Sequence, residues 1–153
     1  METTRQRTFM MIKPDGVQRG LVGEVIARLE RKGYKLIAMK FENASKEHVE
    51  AHYEDHRGKK FFDPLVEYMT SGPVVPMVWE GDNIIEGSRT LIGATNPTAA
   101  APGTIRGDFA LDVGRNLIHG SDLPESAEKE IKHWFKDEEL TTYTHHDTPW
   151  VYE

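Results

Sequence analysis

Apolar residues in this chain arrive in short runs, at 9–12, 36–39 and 74–79, and between the runs they change to helical spacing. Such alternation of strands and helices points by default to an α/β domain with a parallel sheet. No run approaches the length of a bilayer span. Thr8-Phe9-Met10-Met11-Ile12-Lys13 reads as a strand stopped by the turn sequence Pro14-Asp15-Gly16. Val22, Val25, Ile26 and Leu29 form a helix face, with Arg31 and Lys32 in its last turn and Gly33 as a left-handed stop. Residues 34–41 are strand-like. Ser45 can cap a helix carrying Val49, His52, Tyr53 and His56, and Phe61, Phe62, Leu65, Val66 and Met69 make a second apolar stripe. Residues 74–79 read as a strand in which Pro76, lacking a ladder donor, suggests an edge or a bulge. Asp82 is placed to cap a helix that presents Ile84, Ile85, Ser88, Leu91 and Ile92 and stops at Gly93. Asp122 and Glu125 have capping-box spacing ahead of a last helix with Ala127, Ile131, Trp134 and Phe135 on its core face.

Between these helices, residues 94–116 show no period and contain Pro97, Pro102, Gly103, Gly107 and Gly114. The segment is too long for a simple connector and reads as an ordered binding loop. There is no repeat and no linker, so residues 1–153 are expected to form one domain, and a chain of this size buries about 70% of its unfolded surface. The absence of cysteine excludes a disulfide framework, a zinc ribbon and a cysteine nucleophile. The polar opening, residues 1–7, is unlike a signal peptide, which points to an intracellular, cytoplasmic protein. With 25 acidic residues against 19 Lys+Arg and a net charge of −6, no specific nucleic-acid partner is expected.

The densest chemistry lies in Gly114-Arg115-Asn116-Leu117-Ile118-His119-Gly120-Ser121-Asp122. A histidine leaves a short apolar strand between glycines that let a bulky ligand approach, and a neutral imidazole is nucleophilic enough to attack phosphorus. Glu130, at the margin of the last helix's apolar stripe, can face inward and orient that ring. Taken alone, His119 is as often a structural histidine as a nucleophile, and Glu130 is more often solvated than catalytic. Lys13, Arg89 and Arg106 are cations that can converge on a phosphate, although lone cations are usually surface charges. From Arg89 to His119 there are three arginines against Asp108 and Asp112, a local +1 inside an acidic molecule. Neither Walker nor dinucleotide glycine spacing is present. Phe61, Phe62 and Tyr53 read by spacing as core, and His48, His52 and His56, at i, i+4, i+8, lack a third kind of metal ligand.

The whole chain resembles nucleoside diphosphate kinases. The likeness runs from Phe9-Met10-Met11-Ile12-Lys13-Pro14-Asp15-Gly16-Val17 through Thr95-Asn96-Pro97, Gly103-Thr104-Ile105-Arg106-Gly107-Asp108-Phe109 and the His119 segment to Trp150-Val151-Tyr152-Glu153. The resemblance implies an α+β fold, a ferredoxin-like four-stranded antiparallel sheet covered by helices, in place of the parallel default. It implies a ping-pong transfer of the γ-phosphate from a nucleoside triphosphate to His119 and on to a nucleoside diphosphate, with Mg²⁺ on the nucleotide. Glu130 and Ser121 would then orient His119, and Lys13 and Tyr53 would line the transfer site. Arg89, Thr95 and Arg106 would hold phosphate oxygens, Asn116 and Lys13 the ribose hydroxyls, and Phe61 and Val113 would sandwich the base with little base preference. Asp122 would meet the metal through water. Homo-oligomers are implied as well, hexamers or tetramers, with a tail that often packs on a neighbour.

The sequence departs from the family's usual pattern at Lys60, Pro76 and Leu123, where proline, alanine and serine are common. None removes a group named above. Two other readings use the same residues: a phosphohistidine hydrolase or carrier, whose usual arginine before the histidine is Ile118 here, and a non-catalytic nucleotide-binding module.

Overall fold

The structure, a computed structural model, describes residues 5–153; residues 1–4 of the polar opening lie outside the described residues. Strand β1 (Arg5–Ile12) carries Phe9 to Ile12 wholly buried, because its two faces meet two separate apolar layers. It runs into the short helix α1 (Pro14–Gln18), where the proline expected to make a turn instead opens a helix at its first position. Helix α2 (Val22–Lys32) stops at Gly33, whose φ of 105° is a conformation that favours glycine. Then come β2 (Lys35–Met39), α3 (Lys46–His52) capped by Ser45, α4 (Phe62–Met69), β3 (Val75–Asp82) and α5 (Ile84–Ile92). The long aperiodic segment contains a helical turn at Pro97–Ala99 and a helix α6 (Ile105–Phe109), each started by a side-chain cap, Asn96 and Thr104 respectively. Strand β4 (Ile118–Gly120), helix α7 (Pro124–Trp134) and a short α8 (Thr148–Val151) complete the chain.

The four strands form one sheet in the order β2-β3-β1-β4, and all neighbours are antiparallel. This is the ferredoxin-like arrangement, and it replaces the parallel sheet that local periodicity alone suggests. Met10, Ile12, Val75, Met77 and Trp79 point to one side, where Val25 and Leu29 of α2 and Ile84 and Ile92 of α5 cover them. Phe9, Met11 and Val78 point to the other, beneath Val49 of α3, Val66 and Met69 of α4 and Trp134 of α7. Each fully buried large side chain contributes about 1.5–3 kcal/mol.

Three local expectations give way. Pro76 lies in a central strand opposite Met11, and the bulge falls between Leu36 and Ala38 of β2 instead. The proline costs the ladder one donor just past the end of β2, while its carbonyl still accepts from Lys40 N–H at 3.1 Å. Asp82 completes β3 and pairs with Arg5 at 2.7 Å, leaving Asn83, at φ 54°, as the residue before α5. Asp122 caps nothing, since the residue before α7 is the extended Leu123 and Pro124 fills the first helical position. In the tail, Tyr152 returns to the sheet of its own chain, its hydroxyl accepting from Asp82 N–H at 3.1 Å, while Trp150 is left exposed. No described helix is long and apolar enough to cross a membrane.

Candidate active site

His119 is the middle residue of β4 and sits opposite Met11, so its ring emerges on the sheet face covered by α3, α4 and α7. Helix α7 brings Glu130 beneath it. His119 Nε2 lies 2.9 Å from both carboxylate oxygens, so Nε2 carries the proton and Nδ1 holds the free lone pair. Ser121 Oγ donates to the same carboxylate at 2.5 Å. Burial opposes charge on Glu130, but the His119 hydrogen bond and charge, the Ser121 hydroxyl and His52 together hold its carboxyl below the ordinary glutamate range.

The expected cations do converge. Arg106, only 3% exposed, donates to Ile118 O at 2.6 Å, to Asn116 O at 3.2 Å and to Gly93 O at 3.1 Å. Arg89 donates to Gly120 O at 3.0 Å. The carbonyls on either side of His119 are thus each held by a guanidinium, which places two positive charges next to the histidine. Lys13, at the end of β1, donates to Asn116 Oδ1 at 2.8 Å, and Asn116 Nδ2 donates to Thr95 O at 2.9 Å. Burial and then the neighbouring Arg106 lower the Lys13 ammonium to about 8. Burial and then Arg89 lower Arg106 to about 10, where it is still charged at neutral pH. Cations crowded in this way favour a polyanion among them.

Helix α6 sits where it does because Gly107 packs on the loop before it; a Cβ there would lie 2.0 Å from Ala101 O. Arg28 of α2 ties the same loop down, donating to Asp108 at 2.6 Å and to Gly103 O at 3.1 Å. A second restraint comes from a residue that reads in sequence only as part of a turn. Asp15 accepts Leu117 N–H at 3.1 Å and the Tyr68 hydroxyl. Leu117 has φ 76°, uncommon for a branched side chain, and its carbonyl accepts Lys13 N–H at 2.8 Å. The strained residue two before His119 is therefore held on both sides by the segment just after β1.

The remaining expected residues fall around this centre. Tyr53 lies edge-on to His52, which is itself edge-on to His119, and the Tyr53 hydroxyl is buried without a hydrogen-bond partner among the described residues. Burial, then Glu130, raise its ionisation well above the ordinary tyrosine value. Thr95 is exposed beside Asn116. Phe61 and Val113 are 49% and 56% exposed, and no described hydrogen bond or ring contact ties either to His119. Asp122 is exposed, has no ion-pair partner among the described residues and lines a cleft with Arg89. His52 and Trp134, by spacing a helix-face histidine and a core residue, also border the His119–Glu130 pair: Trp134 Nε1–H donates to His52 Nδ1 at 3.0 Å. Their signal in the sequence was weak, because an inward-facing Trp and His look like any apolar stripe.

Comparison with known proteins agrees along the chain. The family described as "Nucleoside diphosphate kinase" matches residues 6–140. A nucleoside diphosphate kinase of Trichormus variabilis is 61% identical over 148 residues, 97% of this chain and 99% of the relative. One from Drosophila melanogaster is 60% identical over 153 residues, the full length of both. Among solved structures, a halophilic nucleoside diphosphate kinase from Halobacterium salinarum in complex with CDP superposes with a TM-score of 0.94 at 51% identity, covering 97% of this chain and 99% of that one.

Proposed function

The chain belongs to the nucleoside diphosphate kinase family, and we propose that it transfers the γ-phosphate of a nucleoside triphosphate to a nucleoside diphosphate through a phosphohistidine on His119. The observation that carries this reading is the Glu130 carboxylate on Nε2, which leaves Nδ1 nucleophilic between two arginine-held carbonyls. Nδ1 donates its lone pair to the γ-phosphorus, and the bond from phosphorus to the β–γ bridging oxygen breaks, releasing the diphosphate. The ring turns cationic, and Glu130 and Ser121 stabilise it in that state. A second nucleoside diphosphate then takes the phosphoryl group by the reverse attack, and the ring returns to neutral. Arg89, Arg106, Thr95 and Lys13 bind phosphate oxygens, and the unpartnered Tyr53 hydroxyl supplies a donor to the transferring group.

Lys13 and Asn116, already bonded to one another, are suited to the ribose hydroxyls, and the exposed Phe61 and Val113 to the two faces of the base. Stacking reads no hydrogen-bond pattern, so purines and pyrimidines should both be accepted. The unpaired carboxylate of Asp122 fits an outer-sphere contact to Mg²⁺, because that ion keeps waters when phosphates bind it. Bound with the nucleotide, Mg²⁺ would offset phosphate charge. The exposed Met39, Phe41, Leu111 and Trp150 support a homo-oligomer, hexameric or tetrameric. A single domain over residues 1–153 acting in the cytoplasm completes the reading.

The test mixes the protein with γ-labelled ATP and Mg²⁺, with and without GDP, beside His119→Ala. The reading requires acid-labile, base-stable label on the wild type alone, moving into GTP when GDP is added. Label released only as free phosphate would instead favour a hydrolase, and nucleotide binding without label a non-catalytic module.

A further inference from the structure

Glu130 has a neighbour that the transfer scheme above does not use. His52, on α3, has a side chain only 2% exposed, and its Nε2 lies 3.8 Å from Glu130 Oε2. On its other edge, Nδ1 accepts the indole N–H of Trp134 at 3.0 Å. An indole nitrogen can only donate, so His52 Nδ1 must present a lone pair, and the single proton of the neutral ring is confined to Nε2. That N–H faces the carboxylate. Trp134 is not free to turn away, since Phe9 stacks on it with centroids 5.8 Å apart and His48 meets it edge-on at 4.4 Å.

A metal-binding reading of the same residues fails on this geometry. Ligand atoms of His52, His119 and Glu130 lie within 4.8 Å of one another, which is the spacing of a transition-metal site. Metal on His52 Nε2 requires its proton on Nδ1, directly against the Trp134 N–H. Two donors would then face each other at a buried ring edge.

We propose that Trp134 and His52 are a positioning pair for phosphoryl transfer: Trp134 selects the His52 tautomer whose Nε2–H faces Glu130, and this keeps the carboxylate aligned on His119. The inference rests on the reading that His119 is the nucleophile. At 3.8 Å the His52 N–H is an oriented dipole rather than a hydrogen bond. Its direction nevertheless favours the ionised carboxylate at the moment the His119 ring turns cationic. A ring with the opposite tautomer would point a lone pair at Glu130 and repel it.

The experiment uses the full chain, ¹⁵N-labelled at histidine, as wild type, Trp134→Phe, His52→Gln and the double variant. Nitrogen NMR should find His52 protonated on Nε2 in the wild type and redistributed in Trp134→Phe. Single-turnover labelling with saturating γ-labelled ATP and Mg²⁺ should slow by about tenfold in Trp134→Phe, with nucleotide affinity unchanged. In the His52→Gln background, where no tautomer remains to be chosen, adding Trp134→Phe should change the rate by less than about twofold. The proposal is overturned by a wild-type His52 protonated on Nδ1, by a Trp134→Phe rate within about twofold of wild type, or by an equal Trp134→Phe penalty in both backgrounds. The wild-type tautomer decides the matter even where Trp134→Phe folds poorly. A His119→Ala protein that still takes label would sink the underlying reading while leaving the tautomer result standing.

Discussion

Glu130 presents both carboxylate oxygens to one nitrogen of His119, each 2.9 Å from Nε2. A carboxylate accepts only, so the attacking lone pair must sit on Nδ1. The phosphoenzyme should therefore carry phosphorus on Nδ1, which phosphorus NMR of the trapped intermediate can read. Glu130→Gln loses the charge that balances the cationic ring and should slow labelling roughly 10²-fold. An Nε2-linked phosphohistidine would falsify the assignment.

Tyr53 gives the second prediction, because its hydroxyl is buried with no hydrogen-bond partner among the described residues. An unsatisfied buried hydroxyl costs about 1–3 kcal/mol. Tyr53→Phe should accordingly raise the melting temperature without nucleotide, by roughly 2–4 °C per kcal/mol in a chain of this size. The same change should slow transfer, because the donor to the moving phosphoryl group is lost. A variant that is less stable and equally fast would show the hydroxyl to be structural.

Much of this site was readable in the residues, and what was missed has common physical causes. Ser45 and Gly33 act as the cap and stop their types imply, because those roles depend on one residue's own backbone and side chain. Strand direction does not, since which edges pair is decided by the whole sheet; the antiparallel order came from the family likeness. Pro76 misled because a central strand tolerates one missing donor where the neighbouring strand is ending, and Lys40 still donates to its carbonyl. Asp82 and Asp122 stand at cap positions by sequence, yet Arg5 engages the first and Pro124 starts the helix after the second. Within residues 94–116, α6 is held by Thr104 and by the packing of Gly107 rather than by periodic apolar burial, so period-based reading passed over it. Trp134 is core as its spacing predicts, and the partner of its polar N–H is set by tertiary packing that periodicity does not encode.

His52 sets a third expectation, for acid stability. Burial, then His119, depress its folded value to about 3 although Glu130 opposes them, against 6.5 for an unperturbed histidine. Below pH 6.5 the unfolded chain binds a proton that the folded chain refuses, so stability is full above 6.5 and falls as pH drops toward 3. The loss is about 1 kcal/mol per pH unit in that window. His48, lowered by burial and then by His133 stacked at 3.8 Å, with Lys40 beside it, acts in the same direction. Glu130, held below its ordinary range, extends the loss once its carboxyl protonates. Denaturant unfolding at pH 7 and pH 5 should show a smaller acid loss in His52→Gln than in wild type. Equal losses would mean that His52 is protonated in the folded chain.

Lys13 links the binding reaction to stability with opposite signs. In the free chain its ammonium titrates at about 8, lowered by burial and then by Arg106, with Asp15 opposing, whereas the unfolded group titrates near 10.5. Between those values the unfolded chain holds a proton that the folded one has released, so this residue's contribution to stability improves as pH rises from 8 to 10.5. Phosphate oxygens favour the protonated form, so bound nucleotide raises the titration and affinity is flat below pH 8 but weakens above it. Over one pH window the folded state should therefore gain from Lys13 while nucleoside diphosphate affinity falls. Calorimetric titration with a nucleoside diphosphate, beside denaturant unfolding without nucleotide, should find both trends reduced in Lys13→Met relative to wild type. Affinity in Lys13→Met that still weakens above pH 8 as steeply as in wild type would place the titrating group elsewhere, and with it the cation that meets the phosphates.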